Sequence, residues 1–210
     1  MTITLHRSAT VLFQGDSITD VGRLAEPDSP LGHGYVRIVA ERVRSARPDS
    51  DITFVNRGVG GDGVSDLRAR WRADTLDLEP DVVSVLIGVN DTWRRYEAGA
   101  VTSALAYESD YRAILTQVKN ELDVQLILVE PFLVPVREEQ WAWREDLDPR
   151  IQAVRRLAEE FDAALLAADG LLNQAARAAG DAAYIAGDGV HPTPYGHTVL
   201  AEAWTALAGL

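Results

Sequence analysis

The sequence predicts a three-layer α/β/α domain in which helices cover both faces of a five-stranded parallel sheet. Short β-branched runs alternate with helical patterns along the whole chain, and each run is apolar almost throughout instead of alternating between apolar and polar residues. Continuous apolar runs are typical of parallel strands that are buried on both faces. Strands that alternate with helices indicate right-handed βαβ units. A length of 210 residues suits one domain spanning residues 1–210.

The individual elements follow from these patterns. The predicted strands are residues 10–14, 52–56, 82–87, 125–129 and 164–167. Between them, apolar residues at spacings of three and four share one helix face in residues 35–43 and 111–122. Asp148-Pro149 predicts the start of a later helix, and Thr193-Pro194 predicts the start of the last one. A capping side chain followed by proline at the first helical position favours initiation in both cases.

The composition excludes several classes of function. Twenty basic and 32 acidic side chains give a net charge of −12, so neither nucleic acid nor a membrane is an expected partner. The chain contains no cysteine, which removes disulfides, thiolate metal ligands and a cysteine nucleophile. The first residues lack the features of an export signal, and the apolar run 82–89 is too short to span a bilayer. A cytoplasmic location is therefore expected.

Glycine and polar residues follow the predicted strands directly, at the edge where open α/β sheets bind ligands. Ser17 follows the first strand, Gly61 the second and Asn90 the third, while Asp188 and His191 share a loop before the last helix. A serine hydroxyl becomes a nucleophile when an imidazole accepts its proton and a carboxylate fixes the imidazole tautomer. Backbone N–H groups of Ser17 and Gly61 and the amide of Asn90 can donate to an oxyanion. The sequence therefore holds the groups that acyl transfer needs.

Each of these segments also has a purely structural interpretation. Gly-Asp-Ser is a common turn, and glycine-rich segments after strands are usually tight connections. Asn90-Asp91 suits the N-cap of a helix, and Asp188-x-x-His191 suits a surface turn. The occurrence of all four segments in order, at one sheet edge, favours the catalytic interpretation.

The four segments together resemble those of the SGNH (GDSL) hydrolases, a family of serine esterases and lipases with a flavodoxin-like three-layer fold. The resemblance extends over residues 12–191. It implies Ser17, Asp188 and His191 as the catalytic residues. It also implies Ser17, Gly61 and Asn90 as the oxyanion donors, with no metal and no organic cofactor.

Further motifs resemble an intracellular bacterial branch that includes acetyl xylan esterases. They include Ser-Ile-Thr-Asp-x-Gly-Arg at residues 17–23 and Asn-Asp-x-Trp-Arg at residues 90–94. This resemblance implies an acetylated sugar or another small ester as substrate, and a homo-oligomeric assembly. Trp93 is a candidate floor of the sugar site, with core packing as the alternative, and Gly187 stands where some relatives carry tryptophan before the catalytic aspartate. Both are expected at the substrate site.

Alternatives remain open at several positions. Residues 131–147 form a substrate flap, a subunit contact or an amphipathic surface turn, and Arg94-Arg95 and Arg155-Arg156 are expected on solvated helix faces. A second function is a thioesterase, lysophospholipase-type or general short-chain carboxylesterase activity of the same fold, and a third is non-catalytic carbohydrate binding. A minor alternative is a metal site formed by Asp16, Asp20, Asp62 and Asp91 with His191. The other histidines are expected to be structural; they are His6, His33 and His197.

Overall fold

The computed structural model describes residues 2–210 and contains one parallel sheet with the strand order β2-β1-β3-β4-β5. The strands are β1 (Thr10–Gly15), β2 (Thr53–Gly58), β3 (Val82–Leu86), β4 (Gln125–Val129) and β5 (Ala164–Leu166). The helices are α1 (Ser17–Asp20), α2 (Tyr35–Ala46), α3 (Val64–Asp74), α4 (Val89–Ala98), α5 (Ala104–Glu121), α6 (Arg144–Glu160), α7 (Ala168–Ala179) and α8 (Pro194–Leu207). Short 3-10 helices span Leu76–Leu78 and Glu138–Trp143. The predicted three-layer class and five-stranded parallel sheet are confirmed.

Two hydrophobic clusters lie on opposite faces of the sheet. On one face, α2, α7 and α8 pack around Phe13 and Trp204, and on the other α3, α5 and α6 pack around Trp71 and Tyr111. Because β1, β3 and β4 contribute buried side chains to both clusters, they read as continuous apolar runs. No helix among residues 2–210 combines the length and apolarity needed to cross a bilayer.

The strand register places three connections side by side. Gly15 at the end of β1 pairs with Gly58 of β2 on one side and with Leu86 of β3 on the other. The chain leaves β1 toward β2 and later returns to β3 on the opposite side of β1, so the strand order reverses here. Open α/β sheets bind ligands at such a reversal. The turns that follow β1, β2 and β3 therefore open into one cleft.

Two predicted boundaries were wrong. β2 continues past residue 56 to Gly58, because its last residues pair in register with the end of β1. Helix α6 begins at Arg144, so Pro149 lies inside it and Asp148 is not its cap. The 3-10 helix Glu138–Trp143 runs directly into α6, and the buried Arg150 bonds both the carbonyl and the carboxylate of Asp146 across the proline. This bonding stabilises the first turns despite the missing proline N–H.

Candidate active site

Ser17 stands at the start of α1, directly after β1. The side chain of Asp16 caps this helix, since its Oδ1 accepts the N–H of Ile18 at 2.9 Å. Ser17 is the first helical residue, and an N–H at that position has no acceptor within its own helix. Asp16 is almost fully buried, and burial raises the pKa of its carboxyl to about 7. The sharp strand-to-helix turn thus presents both the hydroxyl and the free N–H of Ser17 to the cleft.

A single loop carries both Asp188 and His191. Oδ1 of Asp188 accepts the backbone N–H groups of Val190 at 2.9 Å and His191 at 2.7 Å, which fixes the loop. Its Oδ2 lies 2.7 Å from Nδ1 of His191, and Nε2 of the same ring lies 2.9 Å from Oγ of Ser17. A carboxylate at Nδ1 holds the proton on that nitrogen, which leaves Nε2 free to accept the serine proton.

The electrostatics of Asp188 favour its ionised form. Partial burial raises the pKa of this carboxyl, but hydrogen bonds from the His191 ring and from two backbone N–H groups more than offset that effect, so the pKa is lowered overall. Both side chains of the pair remain about half exposed, at 45% for Asp188 and 46% for His191. The acid–base pair therefore faces an open cleft.

The turn after β2 lies beside Ser17. Its first residue, Val59, donates its N–H to the carbonyl of Gly15 at 3.0 Å, and a bond of 3.2 Å from Asp62 N–H to the Val59 carbonyl closes the turn. Gly61 occupies the third position with φ +85°, a conformation that favours glycine. Asn90, in the first turn of α4, donates from Nδ2 to the carbonyl of Asp62 at 3.0 Å. An amide NH₂ has two hydrogens, so one donor of Asn90 remains available.

The two candidate substrate-site residues have different surroundings. The ring of Trp93 is partly buried, with its centroid 5.6 Å from that of His191 and 5.8 Å from that of Trp143. It therefore serves as a wall of the cleft and as part of the packing behind it. Gly187 is exposed, and a Cβ built on it would meet no atom within 4 Å. The cleft is open on that side.

Residues 131–147 are not a surface turn, because Phe132, Leu133 and Val134 are buried in the core. Gln140 is also fully buried, and its Nε2 donates to the carbonyl of Asp188 at 2.7 Å. Val134 N–H donates to the carbonyl of Gly189 at 2.8 Å. The segment thus supports the loop that carries Asp188 and His191. The sequence analysis did not single out Gln140. The apolar run before it, at the start of residues 131–147, was the available signal that this segment is buried.

The arginine pairs predicted on solvated helix faces are mostly engaged. Arg155 bonds Glu130, whose side chain is fully buried, and Arg95 bonds the nearly buried Asp146. Arg94 donates to the carbonyl of Gly61. Helical spacing carries no signal for such contacts, since each partner lies on a distant segment.

The metal alternative finds no support in the described part of the chain, where no three histidine or acidic side chains gather around a possible ion. Asp91 is buried and accepts the N–H of Val64 at 3.1 Å, and burial raises its pKa to about 6. His197 is also buried, with Nδ1 accepting the N–H of Tyr35 at 3.2 Å, and burial lowers its pKa to about 4. His197 therefore has a structural role, as expected.

Comparisons with known proteins agree on one family. The model of the GDSL-like Lipase/Acylhydrolase family matches residues 13–199. An acetylxylan esterase of Geobacillus stearothermophilus is 36% identical over 207 residues, covering 95% of this chain and 93% of that protein.

Solved structures give the same result. A GDSL-like lipase from Parabacteroides merdae superposes with a TM-score of 0.92 at 34% identity, covering 100% of this chain and 99% of the other. The acetylxylan esterase Axe2 of Geobacillus stearothermophilus superposes with a TM-score of 0.91 at 32% identity, covering 99% and 97%. Structures described as catalytic mutants of Axe2 carry alanine in place of one serine, one aspartate or one histidine.

Proposed function

The chain belongs to the GDSL-like lipase/acylhydrolase family and is a carboxylic ester hydrolase, and we propose that it removes acetyl groups from xylo-oligosaccharides or related sugars. The single observation that carries the proposal is the continuous hydrogen-bonded array from Ser17 Oγ through His191 to Asp188, with distances of 2.9 and 2.7 Å. The 36% identity to an acetylxylan esterase supports the choice of substrate.

In the proposed acylation step, Oγ of Ser17 attacks the ester carbonyl carbon while Nε2 of His191 takes the serine proton. The developing oxyanion accepts hydrogen bonds from Ser17 N–H, Gly61 N–H and the Asn90 amide, and removal of one such donor typically costs about 2.7–4 kcal/mol of transition-state stabilisation. The bond to the sugar oxygen then breaks, and His191 returns its proton to that oxygen. Asp188 stays ionised and orients the imidazole throughout.

Deacylation repeats these steps with water. His191 takes a proton from the water molecule, whose oxygen attacks the acetyl-serine carbonyl. The bond to Ser17 Oγ then breaks, His191 passes its proton back to the serine oxygen, and the product leaves as acetic acid, which ionises to acetate in water. All proton transfers use side chains of this chain, and the reaction requires no cofactor.

The shape of the cleft supports a small acyl group and a large polar alcohol. The half-exposed Asp188 and His191 and the open space at Gly187 leave room for an oligosaccharide above the serine. A cavity of about 600 Å³ lies elsewhere, lined by residues that include Val134 and Trp141 and by none of the catalytic residues. It offers no channel for a long acyl chain beside the serine. By resemblance, the proposal extends to a homo-oligomer in the cytoplasm, with the assembly measurable by light scattering.

The test compares acetate release from fully acetylated xylose with hydrolysis of p-nitrophenyl octanoate, for the wild type and Ser17→Ala. We expect rapid release of acetate, little octanoate hydrolysis and an inert variant. Ser50→Ala is the matched control, because Ser50 bonds the carbonyl of Arg47 in the loop before β2, at the edge of the sheet opposite the cleft, and should leave activity intact. A preference for octanoate would indicate the lipid or thioester alternative. Undiminished activity of a folded Ser17→Ala would refute the mechanism.

A further inference from the structure

Arg94 reaches from α4 to the turn that carries Gly61. Its Nη2 donates to the carbonyl of Gly61 at 2.5 Å and to Oδ2 of Asp66 at 2.8 Å. The same Oδ2 of Asp66 accepts the N–H of Gly63 at 2.9 Å, at the start of α3. The guanidinium therefore links the turn after β2 to the helix that follows it, and its own position is fixed by a carboxylate.

Arg94 lies one helical turn after Asn90, so the two side chains share a face of α4. Asn90 donates to the carbonyl of Asp62, and Arg94 donates to the carbonyl of the preceding residue, Gly61. Two consecutive carbonyls of one turn are thus held by two side chains of the same helix. The turn is fixed relative to α4, which also carries the Asn90 amide that faces the cleft.

The backbone conformation at Gly61 depends on hydrogen bonds, because the residue has no side chain of its own to pack. Gly61 has no Cβ, and a Cβ built on it would meet no atom within 4 Å. With φ at +85°, the residue occupies a conformation that glycine adopts freely and leaves freely. The Gly61 N–H belongs to the peptide between Gly60 and Gly61, and the bond from Arg94 holds the next peptide, between Gly61 and Asp62. The N–H of that next peptide also bonds the carbonyl of Val59. With one side of Gly61 held in this way, the rotation that would turn the Gly61 N–H away is restricted.

On the proposed function, on which this step rests, we infer that Arg94 is a positioning residue of the oxyanion hole. By holding the peptide between Gly61 and Asp62, it keeps the turn in the conformation that points the preceding N–H, that of Gly61, to the site where the oxyanion develops, without touching the substrate. Preorganised donors stabilise the transition state more than the bound ester, so loss of Arg94 should lower kcat and leave KM nearly unchanged. Displacement of a donor by about 1 Å is enough to cost about 100-fold in rate.

The test uses Arg94→Met, Arg94→Lys and a control at the adjacent position, Arg95→Met. Arg95 bonds Glu145 and Asp146 and makes no bond to the turn. For each variant, kcat, KM and Tm are measured with an acetyl ester. The inhibition constant of trifluoroacetone, which forms a tetrahedral oxyanion on serine, is measured in parallel.

For Arg94→Met we expect kcat to fall about 10- to 100-fold, with KM within about threefold and an inhibition constant that rises in step with the loss of kcat. Arg94→Lys keeps the charge, but its side chain is shorter than that of arginine and its ammonium lacks the fixed planar geometry of the guanidinium, so it should recover only part of kcat. A fourth variant, Arg94→Ala, leaves space for a free guanidinium ion, and millimolar guanidinium chloride should partly restore its kcat. Arg95→Met should change Tm without changing kcat or inhibition.

Folded Arg94→Met with wild-type kcat and wild-type trifluoroacetone inhibition would overturn the inference, as would equal losses in Arg94→Met and Arg95→Met. Should Arg94→Met not fold, Arg94→Lys decides in the same way. Ser17→Ala is measured alongside. If it is inert while Arg94→Met is unaffected, only this inference fails; if it remains active, the proposed function fails instead.

Discussion

Replacing Gln140 by leucine removes one of the two hydrogen bonds that join residues 131–147 to the loop that carries Asp188 and His191. Gln140 is fully buried and makes three hydrogen bonds to backbone groups. Its Nε2 donates to the carbonyl of Asp188 at 2.7 Å, and its Oε1 accepts from Val136 N–H at 2.8 Å and Arg137 N–H at 3.2 Å. Leucine has a similar volume but can make none of these bonds.

The expected loss of stability follows from the three bonds. At a net contribution of about 0.5–1.5 kcal/mol each, their removal lowers the free energy of unfolding by about 1.5–4.5 kcal/mol. For a chain of this size the corresponding fall in Tm is roughly 5–15 °C. Because the freed loop carries Asp188 and His191, kcat/KM should also fall about 10- to 100-fold.

The assay combines urea unfolding with steady-state hydrolysis of an acetyl ester. Gln125→Leu is the matched control, because Gln125 also exchanges two hydrogen bonds with backbone, at Thr4, with distances of 2.8 and 2.7 Å. That pair lies at the amino end of β4, opposite the cleft. The control should lose stability and keep kcat/KM. If Gln140→Leu behaves like Gln125→Leu, the argument that residues 131–147 position the catalytic loop is wrong.

Two further predictions concern backbone strain and pH. Gly189→Ala should lower the free energy of unfolding by about 2–5 kcal/mol, since φ is +91° and the new Cβ would lie 2.7 Å from the amide of Gln140. The control is Gly180→Ala, which is also at positive φ but has open space around it, so it should cost only about 1 kcal/mol. Equal losses for the two variants in urea unfolding would contradict the steric argument. Burial lowers the pKa of His197 to about 4, below its value of about 6.5 in an unfolded chain. The unfolded state therefore binds this proton first, and the associated stability, about 3 kcal/mol, is complete above pH 6.5 and is lost as the pH falls toward 4. His197→Asn keeps an acceptor for the Tyr35 N–H but cannot titrate, so its stability should depend less on pH over this range, and identical slopes for the two proteins would refute the assignment.

The fold was largely predictable because its signals are local. Strands buried on both faces read as uninterrupted apolar runs, and Thr193-Pro194 marks the start of α8 as the structure has it, with Thr193 Oγ1 accepting Gly196 N–H. The same rule failed at Asp148-Pro149. There, the ion pair and backbone bond of Arg150 hold a helix that began five residues before the proline, and a capping rule does not include such contacts.

The candidate catalytic residues were predictable for a similar reason, since each directly follows a strand or lies in one short loop. The residues that support them, Gln140 and Arg94, were not predictable. Gln140 acts on a carbonyl 48 residues away, and Arg94 on a carbonyl 33 residues away. Every residue carries a backbone carbonyl, so the residue types in a sequence do not indicate which carbonyl a distant side chain will bond. The apolar run before Gln140 signals that its segment is buried, but the carbonyl that Gln140 bonds and the orientation of Arg94 appear only once the tertiary structure is known.

The two oxygens of Asp188 have separate tasks: one shapes the loop through its own backbone, and the other holds the imidazole of His191. The acid–base pair therefore lies within one loop of four residues, while the nucleophile belongs to a separate turn. The acid–base pair and the nucleophile are related by one distance, which joins Nε2 of His191 to Oγ of Ser17. Evolution or a designer could thus move the loop to any scaffold that also supplies its supports at Gln140 and Val134, and the distance from the imidazole to the serine is then the geometric variable to restore.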